Sequence, residues 1–278
     1  MTRTTISCYS INFLCKSVRV LSLQCNTKTP LGKLFTPLHP RGFAFPGAII
    51  DNRKLCYVLF LNQLYPAKRD WHANTGFLCD DKYHPARIAR AGLEPLTAAG
   101  FSFDFIENAE EWSAERMADY PLVVVAKANA PQVWVTPTEE AAFLDYVQQG
   151  KGLLVIHSGT AGLREQVGMR GLLGGVFVKH PPQCPVTVEP KADHPLTAGS
   201  EPFTLVDEHY MMEFDDPTAD LFLTSTSEHG TQPAGWTRTE GAGRVCVLTP
   251  GHNLEIWLHP AYQALIHNAL DWCAKTNA

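Results

Sequence analysis

The sequence predicts an α/β fold with a doubly wound, mostly parallel sheet and added β hairpins. From about Thr75 to Gly150, short apolar segments alternate with helical patterns of ten to fifteen residues, the arrangement typical of βαβ units. The segment PLVVVAK at 121–127 also contains an uninterrupted run of valine and leucine. Such runs indicate strands that are buried on both faces, as in parallel sheets.

The first predicted elements are a strand within GFLCDD (76–81) and the helix that follows it. Pro85 suits the first turn of that helix, and Gly100 suits its end. FSFDFIE (101–107) then predicts an alternating strand, and ENAEEWSAERMADY (107–120) predicts a short acidic helix.

The next predicted helix carries the clearest local signals. Thr136 can cap its N-terminus, Pro137 occupies its first position, Glu139 completes a capping box, and Gly150 follows its end. The helix leads into GLLVI (152–156), which predicts a buried strand.

The rest of the chain changes character after a glycine-rich segment, RGLLGGVFVKHPP (170–182). Its glycines indicate tight turns or close packing, with a mobile flap as the alternative. β-like runs follow, then an apolar strand in GRVCVLTPGH (243–252) and an amphipathic closing helix over 260–274. The β-like runs are PVTVEP (185–190), FTLVDEHYMMEF (203–214) and LFLTSTS (221–227).

Residues 1–72 differ from the remainder, and we expect an atypical, poorly ordered N-terminal extension followed by one domain over 73–278. Up to Asp70 the chain has ten basic and two acidic residues, whereas the rest has thirteen basic and twenty-six acidic residues. The extension shows no sustained periodicity and no convincing helix caps. A targeting segment and an added subdomain remain alternatives for it.

Composition excludes several classes of function. The eight cysteines form no CxxC pair, which argues against a disulfide scaffold or a thiolate zinc site and predicts a reducing, cytoplasmic compartment. The acidic body has no basic stripe with interleaved aromatic residues, so we expect no nucleic-acid partner. It also has no apolar run long enough to span a bilayer, so we expect no membrane partner.

Six histidines occupy loop or strand-end positions. Taken singly, each has a packing or hydrogen-bonding role as its alternative, but those that follow parallel strands should meet at one edge of the sheet. Imidazole is a common ligand of zinc and similar metals, and we expect a possible site for a divalent metal, zinc or manganese. The six are His84, His157, His180, His194, His209 and His252, and the predicted metal ligands are His84, His157, His180 and His252.

The segment VDEHYMMEF also predicts site residues. If it is one strand, Glu208 and Tyr210 share a face, whereas Asp207 and His209 face the other side in structural roles. Asp81 is a candidate ligand, base or acceptor of sugar hydroxyls, and its alternative role is an Asx turn.

The turn HSGTAG (157–162) follows a buried strand, where many α/β enzymes hold a nucleophile. It does not match G-x-S-x-G, because position 156 is isoleucine, and it lacks the lysine of a phosphate-binding P-loop. A nucleophilic Ser158 is therefore disfavoured. The backbone amides of Ser158 and Gly159 remain candidates for binding an anion or a carbonyl.

The body of the chain resembles the ThuA-like family, named for bacterial trehalose utilisation. The resemblance covers about 200 residues and rests on DDKYHP, LDYVQQGKGLLVIHSG, LLGGVFVKHP, DHPLTAG, DEHYM and GRVCVLTPGHN, in that order. It implies a flavodoxin-like fold similar to class I glutamine amidotransferases. Those enzymes place a nucleophilic cysteine at the elbow, where this chain has His157, so we expect no glutaminase activity.

The resemblance also implies action on a carbohydrate, a disaccharide or its keto derivative. We expect metal-assisted isomerisation or hydrolysis, with a non-catalytic carbohydrate-binding or sensing protein as the alternative. A homo-oligomer is one expected state. We expect Trp236, Trp257 and Tyr262 to pack in the core or in a dimer contact, and stacking on a sugar ring is the alternative. The predicted catalytic residues are His157, Glu208 and His252, and the predicted substrate-binding residues are Asp81, Ser158, Gly159, Tyr210 and Asn253.

Overall fold

The computed structural model describes residues 74–274, and the predicted extension over 1–72 lies outside the described residues. The helices are α1 (Ala86–Ala98), α2 (Ala114–Ala118), α3 (Pro137–Gln148), α4 (Val167–Leu173), α5 (Leu254–Trp257) and α6 (Pro260–Ala274). The strands are β1 (Asn74–Leu78), β2 (Ser102–Ile106), β3 (Leu122–Val125), β4 (Gly152–Ile156), β5 (Gly175–Lys179), β6 (Cys184–Pro190), β7 (Phe203–Asp207), β8 (Met211–Phe214), β9 (Asp220–Ser227), β10 (Gly230–Glu240) and β11 (Gly243–Leu248).

The architecture is mixed α/β around a nine-stranded sheet with the order β2-β1-β3-β4-β11-β10-β9-β6-β7. The strands from β2 to β11 pair in parallel, whereas those from β11 to β7 pair antiparallel. β5 and β8 form a separate two-stranded sheet. The expected α/β class is therefore confirmed, and the large sheet is mixed, with one parallel half and one antiparallel half.

Two apolar layers explain why the central strands are hydrophobic throughout. Val123 and Val125 pack in the layer that contains Phe143 of α3, while Leu122 and Val124 pack in the layer that contains α1 and α6. Successive strand residues point to opposite faces, so each central strand contributes to both layers. Helix α3 begins with the predicted capping box.

Three segments differ from the sequence-based prediction. The run 203–214 is two strands, because the chain leaves β7 after Asp207 and re-enters a strand at Met211. The glycine-rich segment begins within α4, which ends at Leu173 and is capped by Gly174 with a φ of +75°. The acidic segment is a 3-10 turn at Ala109–Glu111 followed by α2, because Trp112 and Ser113 adopt extended backbone between them.

The three aromatic residues considered for sugar stacking are core residues. Trp236 and Tyr262 have 0% of their surface exposed, and Trp257 has 2%. The indole of Trp236 donates a hydrogen bond to the carbonyl of Leu173. None of the helices in residues 74–274 is long and apolar enough to cross a membrane.

Candidate functional site

Three histidines and one glutamate from distant parts of the chain meet at one edge of the sheet. His84 follows β1, His157 directly follows β4, His252 follows β11, and Glu208 directly follows β7. One potential ligand atom from each lies within 4.8 Å of the other three. The carboxyl ends of β1, β4 and β11 share one edge of the parallel part of the sheet, which explains why the histidines converge.

Asp81 fixes the orientation of His84. Nδ1 of His84 donates a hydrogen bond to Oδ1 of Asp81 at 2.8 Å, and the same oxygen accepts the backbone N–H of Tyr83 and of His84. Oδ2 of Asp81 accepts the backbone N–H of Ala128. Nε2 of His84 therefore faces the cluster, 4.0 Å from Oε2 of Glu208.

His157 occupies a strained position in the turn after β4. Its φ is +47°, in the left-handed region that residues with a side chain rarely adopt. Its Nδ1 donates a hydrogen bond of 2.8 Å to the carbonyl of Thr249, and Nε2 lies 3.5 Å from Oε2 of Glu208. The ring of Tyr210 stacks on the imidazole with centroids 4.1 Å apart.

Asp207 connects the segment of Glu208 with the loop of His252. Its carboxylate has 1% of its surface exposed and accepts backbone N–H groups from Gly251 at 2.9 Å, His252 at 3.0 Å and Asn253 at 3.3 Å. Oε1 of Glu208 lies 3.1 Å from Nδ1 of His252. Asp207 therefore has the structural role expected for it, and it positions two members of the cluster.

Two opposing effects set the pKa values of the cluster: burial disfavours the charged form of each group, and nearby opposite charges favour it. Burial acts against ionisation of Asp81, but the bond from His84 and the backbone donors lower its pKa to about 2. Burial likewise acts against protonation of His84, but Asp81 and Glu208 raise the pKa of His84 to about 9. Burial also opposes ionisation of Glu208, yet the imidazoles of His157, His252 and His84 lower its pKa. At His157 burial prevails and lowers the pKa.

The donor set fits a divalent metal. Three buried ring nitrogens, His84 Nε2, His157 Nε2 and His252 Nδ1, make no hydrogen bond within the described residues. Buried polar atoms normally have a partner, and here all three face the Glu208 carboxylate. Metal-bound histidines typically donate their other N–H to a carboxylate or carbonyl, as His84 and His157 do. Imidazole and carboxylate ligands suit zinc, and the carboxylate also suits manganese.

Other predicted histidines lie outside this group of four. Nε2 of His180 is 3.5 Å from Oε1 of Glu208, and its Nδ1 is 2.8 Å from the carbonyl of Pro181. His194 instead pairs with Asp220. The ring of His209 contacts the Ser227 hydroxyl and the Ser225 carbonyl on β9.

The predicted substrate-binding residues are partly committed to internal contacts. The amide of Asn253 donates to the carbonyl of Val206 and to Gln183. Asp81 forms an Asx turn, the alternative considered for it, in addition to its bond with His84. Ser158 and Gly159 are buried beside His157 in the 3-10 turn His157–Thr160.

Gly159 has no space for a side chain. A Cβ atom there would lie 2.2 Å from the carbonyl oxygen of Val125. The turn consequently packs directly against the end of β3 and presents His157 at the edge of the sheet.

The sequence predicts a structural role for Asp207 and an Asx turn as the alternative for Asp81, but it does not identify the groups that either carboxylate binds. The usable signal for Asp81 is its position at the start of a loop, where an Asx turn bonds the carboxylate to the backbone two residues on; here the same oxygen also binds His84. Asp207 accepts backbone donors that lie more than forty residues away in the chain, and no local pattern indicates such a contact.

The family model described as "ThuA: Trehalose utilisation" matches residues 71–273. No curated protein matches the chain.

Solved structures of ThuA-like proteins share the fold. One from Bacteroides uniformis is 20% identical, with a TM-score of 0.60 over 75% of this chain and 95% of that chain. One from Parabacteroides merdae is 16% identical, with a TM-score of 0.58 over 73% and 90% of the two chains. A protein from Salmonella typhimurium described as cytoplasmic is 15% identical, with a TM-score of 0.52 over 72% and 97%.

Proposed function

The chain belongs to the ThuA family of trehalose utilisation, and we propose that it is a metal-dependent enzyme of carbohydrate catabolism. Its substrate is a disaccharide or the keto derivative of one, and its reaction is isomerisation or hydrolysis. The family description supports a carbohydrate, and the histidine and glutamate cluster supports metal-assisted chemistry.

One observation carries the proposal. Three buried ring nitrogens without hydrogen bonds face one carboxylate, and the four ligand atoms lie within 4.8 Å of one another. His84, His157, Glu208 and His252 would hold the metal. A divalent metal in such a site polarises a carbonyl or lowers the pKa of a water molecule.

His180 is the residue that we assign to proton transfer. Its Nδ1–H donates to the carbonyl of Pro181, which leaves the lone pair on Nε2, on the side of Glu208. The side chain has 36% of its surface exposed, so a substrate can reach it. His180 thus accepts the acidic proton next to a keto group, or a proton from an attacking water. This differs from our sequence-based assignment of His180 as a metal ligand.

We also propose a doubly wound, flavodoxin-like fold and a cytoplasmic location for this protein. The order β2-β1-β3-β4-β11, with apolar layers on both faces, supports a doubly wound, flavodoxin-like domain of the class I glutamine amidotransferase type. The four cysteines of the described residues, Cys79, Cys184, Cys246 and Cys273, are buried and unpaired. Free thiols support a reducing, cytoplasmic environment.

The function is tested with the full-length protein loaded separately with zinc and with manganese. Trehalose and 3-keto-trehalose are incubated with each form, and products are followed by NMR. We expect conversion of the keto sugar that stops on chelation, and a loss of turnover in His180→Gln without loss of bound metal. Saturable sugar binding without conversion by either form would favour the carbohydrate-binding alternative.

A further inference from the structure

A second cleft lies next to the histidine cluster and takes no part in the chemistry described above. Its volume is about 540 Å³, within the range of pockets that bind small molecules. Its walls are formed by the loops after β1, β2 and β3, which contribute Lys82, Glu107 and Gln132 in that order. Trp134 and Pro131 add apolar surface.

The topology of the sheet favours a ligand at this place. The chain leaves β1 toward β2 on one side, and it leaves β3 toward β4 on the other. The crevice between β1 and β3 is therefore a switch point in the strand order, where open α/β sheets bind their ligands.

Asp81 joins the cleft to the metal cluster. The residue lines the cleft, and its carboxylate accepts the hydrogen bond that orients His84. Asp81 is thus common to the lining of the cleft and to the immediate surroundings of the four ligand residues.

The charges of the cleft disfavour an anionic ligand. The ammonium of Lys127 donates to the carbonyls of Cys79, Asp80 and Glu107, which uses its three N–H donors. The carboxylates of Asp80, Asp81 and Glu107 line the cleft with Lys82 and Lys127, and of these Glu107 is paired with Arg90 and Asp81 with His84. A phosphate group would face this acidic lining with the ammonium of Lys127 already committed, whereas the hydroxyl groups of a sugar can pair with the carboxylate of Asp80 and with the amide of Gln132.

We propose that this cleft binds the second, non-reacting ring of an uncharged disaccharide and discriminates against phosphorylated sugars. The inference rests on the proposed function, because it assumes that the first ring lies at the metal cluster. The carboxylates of the cleft can accept hydrogen bonds from sugar hydroxyls, and its amides can both donate and accept them. Its apolar wall can pack against the face of a sugar ring.

The test uses calorimetric titration of the metal-loaded full-length protein with trehalose, glucose and trehalose 6-phosphate. We expect trehalose to bind at least about tenfold more tightly than the other two. Ala130→Trp fills the cleft from an exposed lining position. This change should weaken trehalose binding at least about tenfold and leave glucose binding and metal content unchanged. Ala98→Trp, at an exposed position at the end of α1, is the matched control and should change none of these values.

Glu107→Lys is a second variant at an exposed side chain, and it should reduce the preference for trehalose over trehalose 6-phosphate. Unchanged trehalose binding in Ala130→Trp, or an unchanged preference in Glu107→Lys, would overturn the assignment of the cleft. Either result would leave the proposed function standing if metal-dependent conversion is intact. Absence of sugar binding and conversion in the unmodified protein would instead refute the proposed function, and the cleft assignment with it.

Discussion

Nδ1 of His84 lies 2.8 Å from Oδ1 of Asp81, and this contact leaves the opposite ring nitrogen facing Glu208. The carboxylate that orients the imidazole is itself fixed by three backbone N–H groups. His84 is therefore prearranged by a carboxylate outside the group of four, as is common for metal-binding histidines.

Asp81→Asn should weaken metal binding by about 10- to 100-fold, because the variant loses the charge that orients His84 and raises its basicity. Competition with a chelator of known affinity measures the change. Asp145→Asn, at an exposed carboxylate on α3, is the control and should leave the affinity unchanged. Equal affinities in the two variants would show that Asp81 does not support the site.

At His157 a glycine should be better tolerated than an alanine in the metal-free protein. The φ of +47° is unfavourable for any residue with a Cβ atom, so His157→Gly should have a higher free energy of unfolding than His157→Ala by about 0.5–1 kcal/mol. Urea unfolding in the presence of a chelator provides the comparison. At His180, which has no positive φ, the same pair should show the opposite order. A more stable His157→Ala would contradict the strained turn.

Gly159→Ala should destabilise the protein and disturb the metal site together. The new Cβ would lie 2.2 Å from the carbonyl oxygen of Val125, so the turn that carries His157 must move, at a cost of about 1–3 kcal/mol. Gly171→Ala is the matched control because a Cβ there meets nothing within 4 Å. In α4 that change should be neutral or stabilise by up to about 1 kcal/mol. Thermal unfolding and metal content of both variants test the difference.

Asp207→Asn should loosen the loop that carries His252. The carboxylate accepts three backbone N–H bonds, and an amide in its place offers one acceptor atom, which leaves buried donors unpaired at about 1–3 kcal/mol each. Hydrogen exchange at Gly251, His252 and Asn253 should become faster, and metal affinity should fall. Unchanged protection of these amides would contradict the positioning role of Asp207.

Local signals in the sequence suffice for much of the fold but for less of the site. The cap formed by Thr136 and Glu139 and the valines of β3 are local features, and they predict α3 and β3 well. β10 is hard to predict because Pro233 and Gly235 interrupt its pattern, and the strand accommodates them with register shifts against β9. The break after Asp207 is equally hidden, since no glycine or proline marks it.

The histidines were predictable as a group because parallel strands bring His84, His157 and His252 to one edge. The sequence also predicts His180 as a metal ligand, and its place outside the group of four depends on side-chain orientation, which no local pattern shows. Asp81 sets the ring orientation of His84, and Thr249 sets that of His157. The Nδ1 of His180 instead pairs with the carbonyl of the adjacent residue, Pro181.

The most direct test of the metal site is X-ray absorption spectroscopy on the full-length protein after incubation with zinc or manganese and removal of excess ion. We expect about one metal per chain, with imidazole nitrogens and a carboxylate oxygen at about 2.0–2.2 Å for zinc. Glu208→Gln and His252→Ala should each reduce the occupancy, whereas His229→Ala, at an exposed histidine, should not. A protein that binds neither ion, or whose bound ion is unaffected by changes at Glu208 and His252, would contradict the account.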